Sequence, residues 1–410
     1  MMIYGLVGEK LSHSYSKLIH EKLGYNYNLF SLSESKFDNF IANRQYDGLN
    51  ITIPYKQRVM PLCDELSPLA KEIGAVNTLY FHHGKLCGTN TDYPGFLYAA
   101  ARAGINFKNQ VILILGNGGT SLMAEKAVSN SGAMKIYIAS RHKNPRYVSY
   151  NDLDLCKDAT IIVNTTPVGT YPNNWGQLIS LDDFPNCKGV IDVVYNPFTT
   201  NLLLQAKDAN IPYTNGLPML VAQATAAGEY FLGNTDFQRK NQKIIQELSA
   251  AMENIVLIGM PGCGKTTLGK LLSEAMDRPF VDMDQEIEKI AGETIPQIFK
   301  NHGQAHFRNL EENIAKAVGK EQNQIISTGG GAVLRKSTID ALRQNGRVVF
   351  ITRALDELSL SGRPLSKDRE SIKSIYETRL PLYNKYMDLT FDNANDKDSI
   401  VKKLLSILEK

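Results

Sequence analysis

Short runs of β-branched and apolar residues alternate along this chain with stretches whose apolar positions recur at helical spacing. The strand-like runs lie in NQVILILGNGG, MKIYIAS, ATIIVNTTP and GVIDVVYN, and later in ENIVLIGMPG, NQIISTGGG and RVVFITR. Continuous apolar runs of strand length between amphipathic segments describe strands covered on both faces by helices, which means parallel sheets and an α/β fold. Gly116 opens one glycine-rich turn and Gly259 another, far enough apart for each to have its own doubly wound sheet. Residues 236 to 254, DFQRKNQKIIQELSAAMEN, predict an amphipathic helix that runs almost directly into the next strand, a short and stiff joint. Residues 1 to 98 carry strand patterns of their own before the first turn, so the amino-terminal half is expected to have two lobes with a cleft between them.

Composition narrows the chemistry. The 410 residues are 43% hydrophobic and 21% charged, ordinary for a folded globular protein, and there is no repeat or low-complexity tract. A net charge of +3 is too small for a phosphate-backbone footprint, so small anionic metabolites are the expected partners and nucleic acid is not. The strongest apolar run, VILIL at residues 111 to 115, has strand length, and the amino terminus lacks a basic region followed by a long apolar stretch. Neither feature points to a membrane. Five cysteines without a C-x-x-C pair fit a reducing, cytoplasmic setting. Oligomeric state has no signature in the sequence.

The first turn, Gly116-Asn117-Gly118-Gly119-Thr120-Ser121, follows VILIL and precedes a helix-compatible run. Strand, turn and helix in that order suit a dinucleotide, because amides at a helix amino terminus and the helix dipole both favour a pyrophosphate, whereas a glycine-rich turn alone also occurs as a plain turn. Gly116, Gly118 and Gly119 are the candidate contacts. The next strand ends at Ser140-Arg141, where an NAD site would carry an acidic residue for the ribose hydroxyl. Arg141 suits a 2′-phosphate instead, so NADP is expected, although basic residues after strands also occur as plain solvated loops.

The second turn, Gly259-Met260-Pro261-Gly262-Cys263-Gly264-Lys265-Thr266-Thr267, fits G-x-x-x-x-G-K-[ST] between a strand and a helix. Amides around Gly262 and Gly264 would cradle phosphates, Lys265 would neutralise the terminal ones, and the Thr266 hydroxyl would meet Mg²⁺, with Thr267 beside it. ATP with Mg²⁺ is the expected ligand.

GEKLSHSYSKLIH (8 to 20), LNITIPYK (49 to 56), AVNTL with GTNTD (75 to 92) and NGLPMLVAQA (215 to 224), with NTTPVGT and DVVYNP between them, occur in that order. Together they resemble shikimate dehydrogenase, and the resemblance runs from about residue 3 to about residue 233. It implies that Ser14 and Ser16 bind the substrate carboxylate, that Thr52, Asn77 and Gln223 reach its hydroxyls, and that Tyr195 and Gly216 complete the walls. It also implies that Lys56 and Asp92 form the catalytic pair. Taken singly, Lys56 reads as a surface lysine after a turn proline and Asp92 as a helix cap. Lys17, Tyr93 and Asn117 depart from the family's usual proline, glycine and small residue.

Beyond the second turn, FVDMDQEIEKIAG supplies Asp282 and Asp284, HFRNLEE supplies Arg308 and Glu311, STGGG supplies Gly330, and ETRLPLY supplies Arg379. With that turn they resemble shikimate kinase, from residue 254 to near the carboxyl end. The resemblance implies that Asp284 orients the attacking hydroxyl, that Asp282 acts near the metal, that Arg308 and Arg379 clamp the shikimate carboxylate, and that Glu311 braces them. In isolation, Arg308 and Glu311 would read as an i, i+3 pair on a helix surface. GRPLSKDR (362 to 369) matches the lid, with Arg363 as its catalytic arginine; the lid is short, and LDELSLS lacks the arginine usual against the adenine.

The two resemblances together imply a two-lobed dehydrogenase with a Rossmann-like NADP domain followed by a P-loop kinase. The expected division is residues 1–98 with 215–250 for substrate binding, 99–214 for NADP and 251–410 for the kinase. The expected chemistry is NADPH-dependent reduction of 3-dehydroshikimate and ATP-dependent phosphorylation of shikimate. Two alternatives stand beside it: a kinase-like half that only binds or senses nucleotide, and a dehydrogenase that works on quinate with NAD.

Overall fold

The computed structural model describes residues 2–11, 15–141, 144–233, 236–358, 369–393 and 397–408, without the side chains of 369 and 397–400. Ser14 and Arg363 lie outside the described residues. The chain divides into two compact units, Met1–Asn196 with Thr200–Leu248, and Ser249–Lys410 with Pro197–Thr199.

The first unit contains two sheets. Strands β1 (Tyr4–Gly8), β2 (Asn28–Ser31), β3 (Gly48–Ile51), β4 (Glu65–Leu66), β5 (Thr78–His82) and β6 (Lys85–Thr89) form a mixed sheet in the order β2-β1-β3-β5-β6-β4. Helices α1 (Ser16–Lys22), α2 (Glu34–Ala42) and α3 (Pro68–Ile73) connect them, and α4 (Asp92–Arg102) leads out of the sheet. The second sheet is wholly parallel: β7 (Val111–Leu115), β8 (Lys135–Ser140), β9 (Val148–Ser149), β10 (Ile161–Asn164), β11 (Gly189–Asp192) and β12 (Tyr213–Thr214) run in the order β12-β11-β10-β7-β8-β9. The strand order reverses between β7 and β10, and ligands of such sheets bind at that switch point. Every residue of VILIL is buried, as a central strand with helices on both faces requires.

Helix α5 (Gly119–Asn130) turns Met123, Ala124, Ala127 and Val128 inward, and α6 (Asn201–Asp208) precedes β12. The chain then returns along α7 (Leu217–Leu232), whose small residues let it pack closely on α4. A Cβ on Gly95 of α4 would stand 2.8 Å from the Met219 carbonyl oxygen, so this crossing needs glycine. It matters because α4 begins with Asp92 and α7 carries Gln223, and the close crossing fixes the distance between them. The expected helix over 236–254 is a 3₁₀ turn at Phe237–Lys240 followed by α8 (Asn241–Met252), with the next strand starting at Asn254.

In the second unit, β13 (Asn254–Ile258), β14 (Phe280–Asp282), β15 (Ile325–Ser327), β16 (Gly346–Thr352) and β17 (Leu389–Asp392) make a parallel sheet in the order β14-β15-β13-β16-β17. Around it lie α9 (Lys265–Met276), α10 (Met283–Ala291), α11 (Ile295–Gly319), α12 (Lys336–Arg343), α13 (Arg369–Tyr386) and α14 (Lys397–Leu408). Helix α11 breaks at Gly303, where φ is +80°. The core holds Val256, Leu257, Ile326, Val348 and Ile351 from the sheet against Leu272, Ile314 and Leu342 from the helices. Among the described residues no helix is long and apolar enough to cross a membrane.

Candidate active sites

The first unit holds a cavity of about 540 Å³ bordered by both sheets. Ser16, Thr52, Lys56, Asn77, Asp92, Tyr195, Gly216 and Gln223, all singled out in the sequence, line it. Lys56 follows β3 and Asp92 is the first residue of α4, and Lys56 Nζ donates to Asp92 Oδ2 at 2.5 Å. Their side chains are 15% and 10% exposed, so the lysine is no surface residue, and the cap position of α4 belongs to Thr91. Asp92 lies in the first turn of α4, at the helix end whose dipole favours an acidic side chain.

Asn77 is held from several sides. Its Oδ1 accepts from Thr91 N at 2.7 Å, Thr78 Oγ1 at 3.0 Å and Thr91 Oγ1 at 3.2 Å, and its Nδ2 donates to Gln223 Oε1 at 3.5 Å. The amide is therefore fixed in one orientation, with Gln223 next to it, as a hydroxyl-reading pair requires. Burial raises the Tyr195 phenol, keeping it a neutral donor. Gly216 caps α7, and a Cβ there would meet the Val193 carbonyl oxygen at 2.0 Å. Lys10, Asn50 and Thr120 also face the cavity; they lie within the motif segments, but the sequence alone assigns them no role.

The first glycine-rich turn lies at the sheet's switch point. Gly116 has φ +106°, a backbone that other residues rarely adopt, and a Cβ there would lie 2.8 Å from Thr166 Cγ2. Ser121 Oγ donates to the Gly116 carbonyl oxygen at 2.8 Å and closes the turn. Gly118 is the amino-terminal cap of α5 and Gly119 its first residue; a Cβ on Gly118 would meet nothing within 4 Å, so there is open space beside the turn. The same position on Gly119 would stand 3.9 Å from Lys56 Cδ, which brings the turn up to the lysine. At the end of β8, Ser140 is buried and Arg141 exposed. A glycine turn at a helix amino terminus, an α5 first turn without acidic residues and the arginine after β8 fit a dinucleotide with a 2′-phosphate.

The second unit holds a cavity of about 520 Å³. Gly262, Gly264, Lys265, Thr266, Thr267, Asp284, Arg308, Glu311, Gly330 and Arg379 line it. Gly262 and Gly264 have φ of +84° and +95°, which turns successive amides inward ahead of α9. Lys265 Nζ donates to the carbonyls of Gly259 and Met260, both at 3.0 Å, and so lies folded over the loop. Thr266 Oγ1 donates to Asp282 Oδ2 at 2.7 Å, while Asp282 Oδ1 caps α10 through the amide of Asp284 at 3.1 Å. A hydroxyl and a carboxylate placed together at the loop fit a divalent cation that arrives with the nucleotide.

The acceptor side is buried. Arg308 Nη1 lies 2.5 Å from Glu311 Oε2, and Glu311 is wholly inaccessible, so the i, i+3 pair is part of the interior and not a surface pair. Among the described residues, Arg308 Nε and Glu311 Oε1 are buried with no hydrogen-bond partner, as expected of groups shaped to receive a polar ligand. Arg379 Nη1 and the Tyr383 hydroxyl both donate to the Gly330 carbonyl oxygen, at 2.9 and 2.5 Å. Burial first, then the neighbouring Asp282, holds the Asp284 carboxyl above the usual range, which suits a group that must take up a proton. Burial likewise raises Glu311.

The model of the shikimate dehydrogenase substrate binding domain matches residues 6–79, and that of shikimate kinase matches residues 261–409. The shikimate dehydrogenase (NADP(+)) of Clostridium perfringens strain 13 is 37% identical over 267 residues, covering 60% of this chain and 98% of that protein. The shikimate kinase of Clostridium beijerinckii is 42% identical over 159 residues, covering 38% of this chain and 94% of that protein. Among solved structures, a chorismate mutase/shikimate 5-dehydrogenase fusion protein from Clostridium acetobutylicum aligns with a TM-score of 0.57 at 34% identity, covering 60% of this chain and 97% of that one. Nearly whole relatives thus match each part in turn, and the chain belongs to the shikimate dehydrogenase family in its amino-terminal part and to the shikimate kinase family in its carboxyl-terminal part.

Proposed function

We propose that this chain catalyses two consecutive steps: NADPH-dependent reduction of 3-dehydroshikimate to shikimate, and ATP-dependent phosphorylation of shikimate to shikimate 3-phosphate. Residues 1–98 with 215–250 bind the first substrate, 99–214 bind NADP and 251–410 form the kinase. The observation that carries the reading is the pairing in each unit of an anion-cradling turn with a cavity lined by the family's polar residues.

In the first site, Ser16 binds the substrate carboxylate, as Ser14 does in the family's pattern, while Thr52, Asn77 and Gln223 hold its ring hydroxyls. Bound NADPH supplies the hydride. The developing charge is on the ketone oxygen, so Lys56 donates a proton to that oxygen and recovers one from solvent. Asp92 keeps the ammonium aimed. Arg141 selects the 2′-phosphate, and Tyr195 and Gly216 confine the reacting ring.

In the second site, bound MgATP supplies the phosphoryl group and part of the charge neutralisation. Arg308 and Arg379 hold the acceptor's carboxylate, a planar group suited to guanidinium forks. Asp284 accepts the proton of the attacking hydroxyl, Lys265 and the loop amides stabilise the phosphate charge, and Thr266 with Asp282 holds the metal. Arg363 is assigned to the lid from the sequence pattern. All five cysteines are unpaired, which supports a reducing compartment such as the cytoplasm.

A coupled assay tests the reading. Purified protein given 3-dehydroshikimate, NADPH and MgATP should consume NADPH and then release ADP. NADPH consumption without ADP above background would remove the kinase half of the proposal.

A further inference from the structure

The nucleotide cavity is lined by one cation that belongs to neither motif. Arg353 follows β16, and its side chain borders the same space as Gly262, Gly264 and Lys265. Strands β13 and β16 pair in parallel register as far as Ile258↔Phe350, so the chain leaves β13 for the phosphate loop beside the point where it leaves β16 for Arg353. The two exits are packed tightly. A Cβ on Gly259 would lie 2.4 Å from the Ile351 carbonyl oxygen. Asn393 then ties them together, donating from its backbone N to Thr352 O at 2.9 Å and from Nδ2 to Cys263 O at 2.6 Å. The backbone ahead of Arg353 is thereby fixed against the loop.

Glu357, at the end of the 3₁₀ turn Leu355–Glu357, accepts from Arg353 Nε at 3.1 Å and helps to orient the guanidinium. A guanidinium has five N–H donors in a planar fork and can hold a carboxylate and a phosphate at once. The first turn of α9 carries no acidic residue of its own, which favours an anion bound between this fork and the loop amides. We propose that Arg353 binds the polyphosphate of the nucleoside triphosphate, as a second cation beside Lys265. The inference rests on reading this cavity as a nucleotide site.

MgADP affinity, measured by calorimetry on the full chain, tests it without requiring phosphoryl transfer. Arg353→Ala is expected to weaken MgADP binding about tenfold, about 1.4 kcal/mol, with NADPH-dependent turnover unchanged. Glu357→Gln breaks the ion pair but keeps the guanidinium, and is expected to stay within about threefold of wild type. Wild-type affinity in Arg353→Ala overturns the inference. So does a loss in Glu357→Gln as large as that in Arg353→Ala, because the pair would then only brace the turn. If the wild type binds MgADP but does not phosphorylate shikimate, the proposed function fails, and the same comparison of affinities still decides the role of Arg353. A wild type that binds no MgADP overturns both.

Discussion

Asp92 Oδ2 receives Lys56 Nζ at 2.5 Å across the boundary between the first sheet and α4, so two residues 36 positions apart in sequence act as one charge pair at the cavity wall. Replacing Lys56 by Met removes the proton donor while keeping much of the stem. Ketone reduction should fall about a hundred- to ten-thousand-fold. Asp92→Asn keeps the shape but releases the ammonium, and a loss of about a hundredfold is expected from misplacement. Phosphorylation of added shikimate should be unchanged in both variants. Steady-state assays of each half-reaction check this, and a Lys56→Met protein that still reduces the ketone removes Lys56 from the mechanism.

Arg141 stands exposed at the carboxyl end of β8. If its guanidinium meets the 2′-phosphate, Arg141→Gln should lower the preference for NADPH over NADH while leaving turnover with NADH nearly unchanged. Charge-assisted hydrogen bonds contribute about 1.5–3 kcal/mol, which is about a ten- to 150-fold change in the ratio of kcat/KM values. An unchanged ratio would mean that Arg141 is only a solvated loop residue.

The parts of these sites that sequence made legible are those where backbone and side-chain chemistry coincide over a few residues. Gly116, Gly264 and Lys265 belong to turns whose geometry requires those residue types, and the strand before each turn announces itself by a continuous apolar run. Lys56, Asn77 and Gln223 were legible only through their order in a family pattern, because nothing local says that α4, α7 and β3 converge on one cavity. The missed groups arrive by tertiary packing alone. Asn50 and Thr120 face the first cavity from a strand and a helix start, and Thr328 and Arg353 face the second from strand ends; each lies in a run that the sequence shows, but nothing local says which residue of the run faces the cavity. The Arg308–Glu311 spacing, which suggests a surface pair, gives no hint of burial, because i, i+3 proximity is the same on either face of a helix.

Asp192 gives a test by pH. It ends β11, is wholly buried, and accepts from Thr200 Oγ1 at 2.7 Å, Asn164 Nδ2 at 2.9 Å and Val194 N at 3.0 Å. Burial outweighs these donors and pushes its carboxyl up to about 7. With the folded pKa above the unfolded one, the unfolded chain releases this proton first. The stability that the protonated group confers is full below about pH 4 and is lost as pH rises towards 7. The loss has an upper scale of about 4 kcal/mol at 1.36 kcal/mol per pKa unit. Asp192→Asn cannot ionise, so the melting temperature of the dehydrogenase unit should depend less on pH between 5 and 8 than in wild type. Equal slopes in thermal melts of the two proteins would show that the Asp192 carboxyl is ionised throughout.

Gly331 tests the acceptor site without touching a charged residue. A Cβ there would lie 2.1 Å from Arg308 Nη2, and the far end of an arginine can move, so Gly331→Ala should displace the guanidinium without unfolding the unit. The displaced fork no longer meets the acceptor carboxylate squarely. The KM for shikimate should rise about tenfold or more, as loss of a charge-assisted contact implies, while the KM for MgATP stays near wild type. Arg308→Ala is the harsher change, since it leaves Glu311 buried without its cation, and about 3–5 kcal/mol of stability should be lost with it. Kinase assays at varied shikimate, run beside thermal melts, separate the two effects: Gly331→Ala moves KM and spares the melt, whereas Arg308→Ala moves both. A Gly331→Ala enzyme with wild-type KM for shikimate would show that Arg308 holds Glu311 in place and does not touch the acceptor.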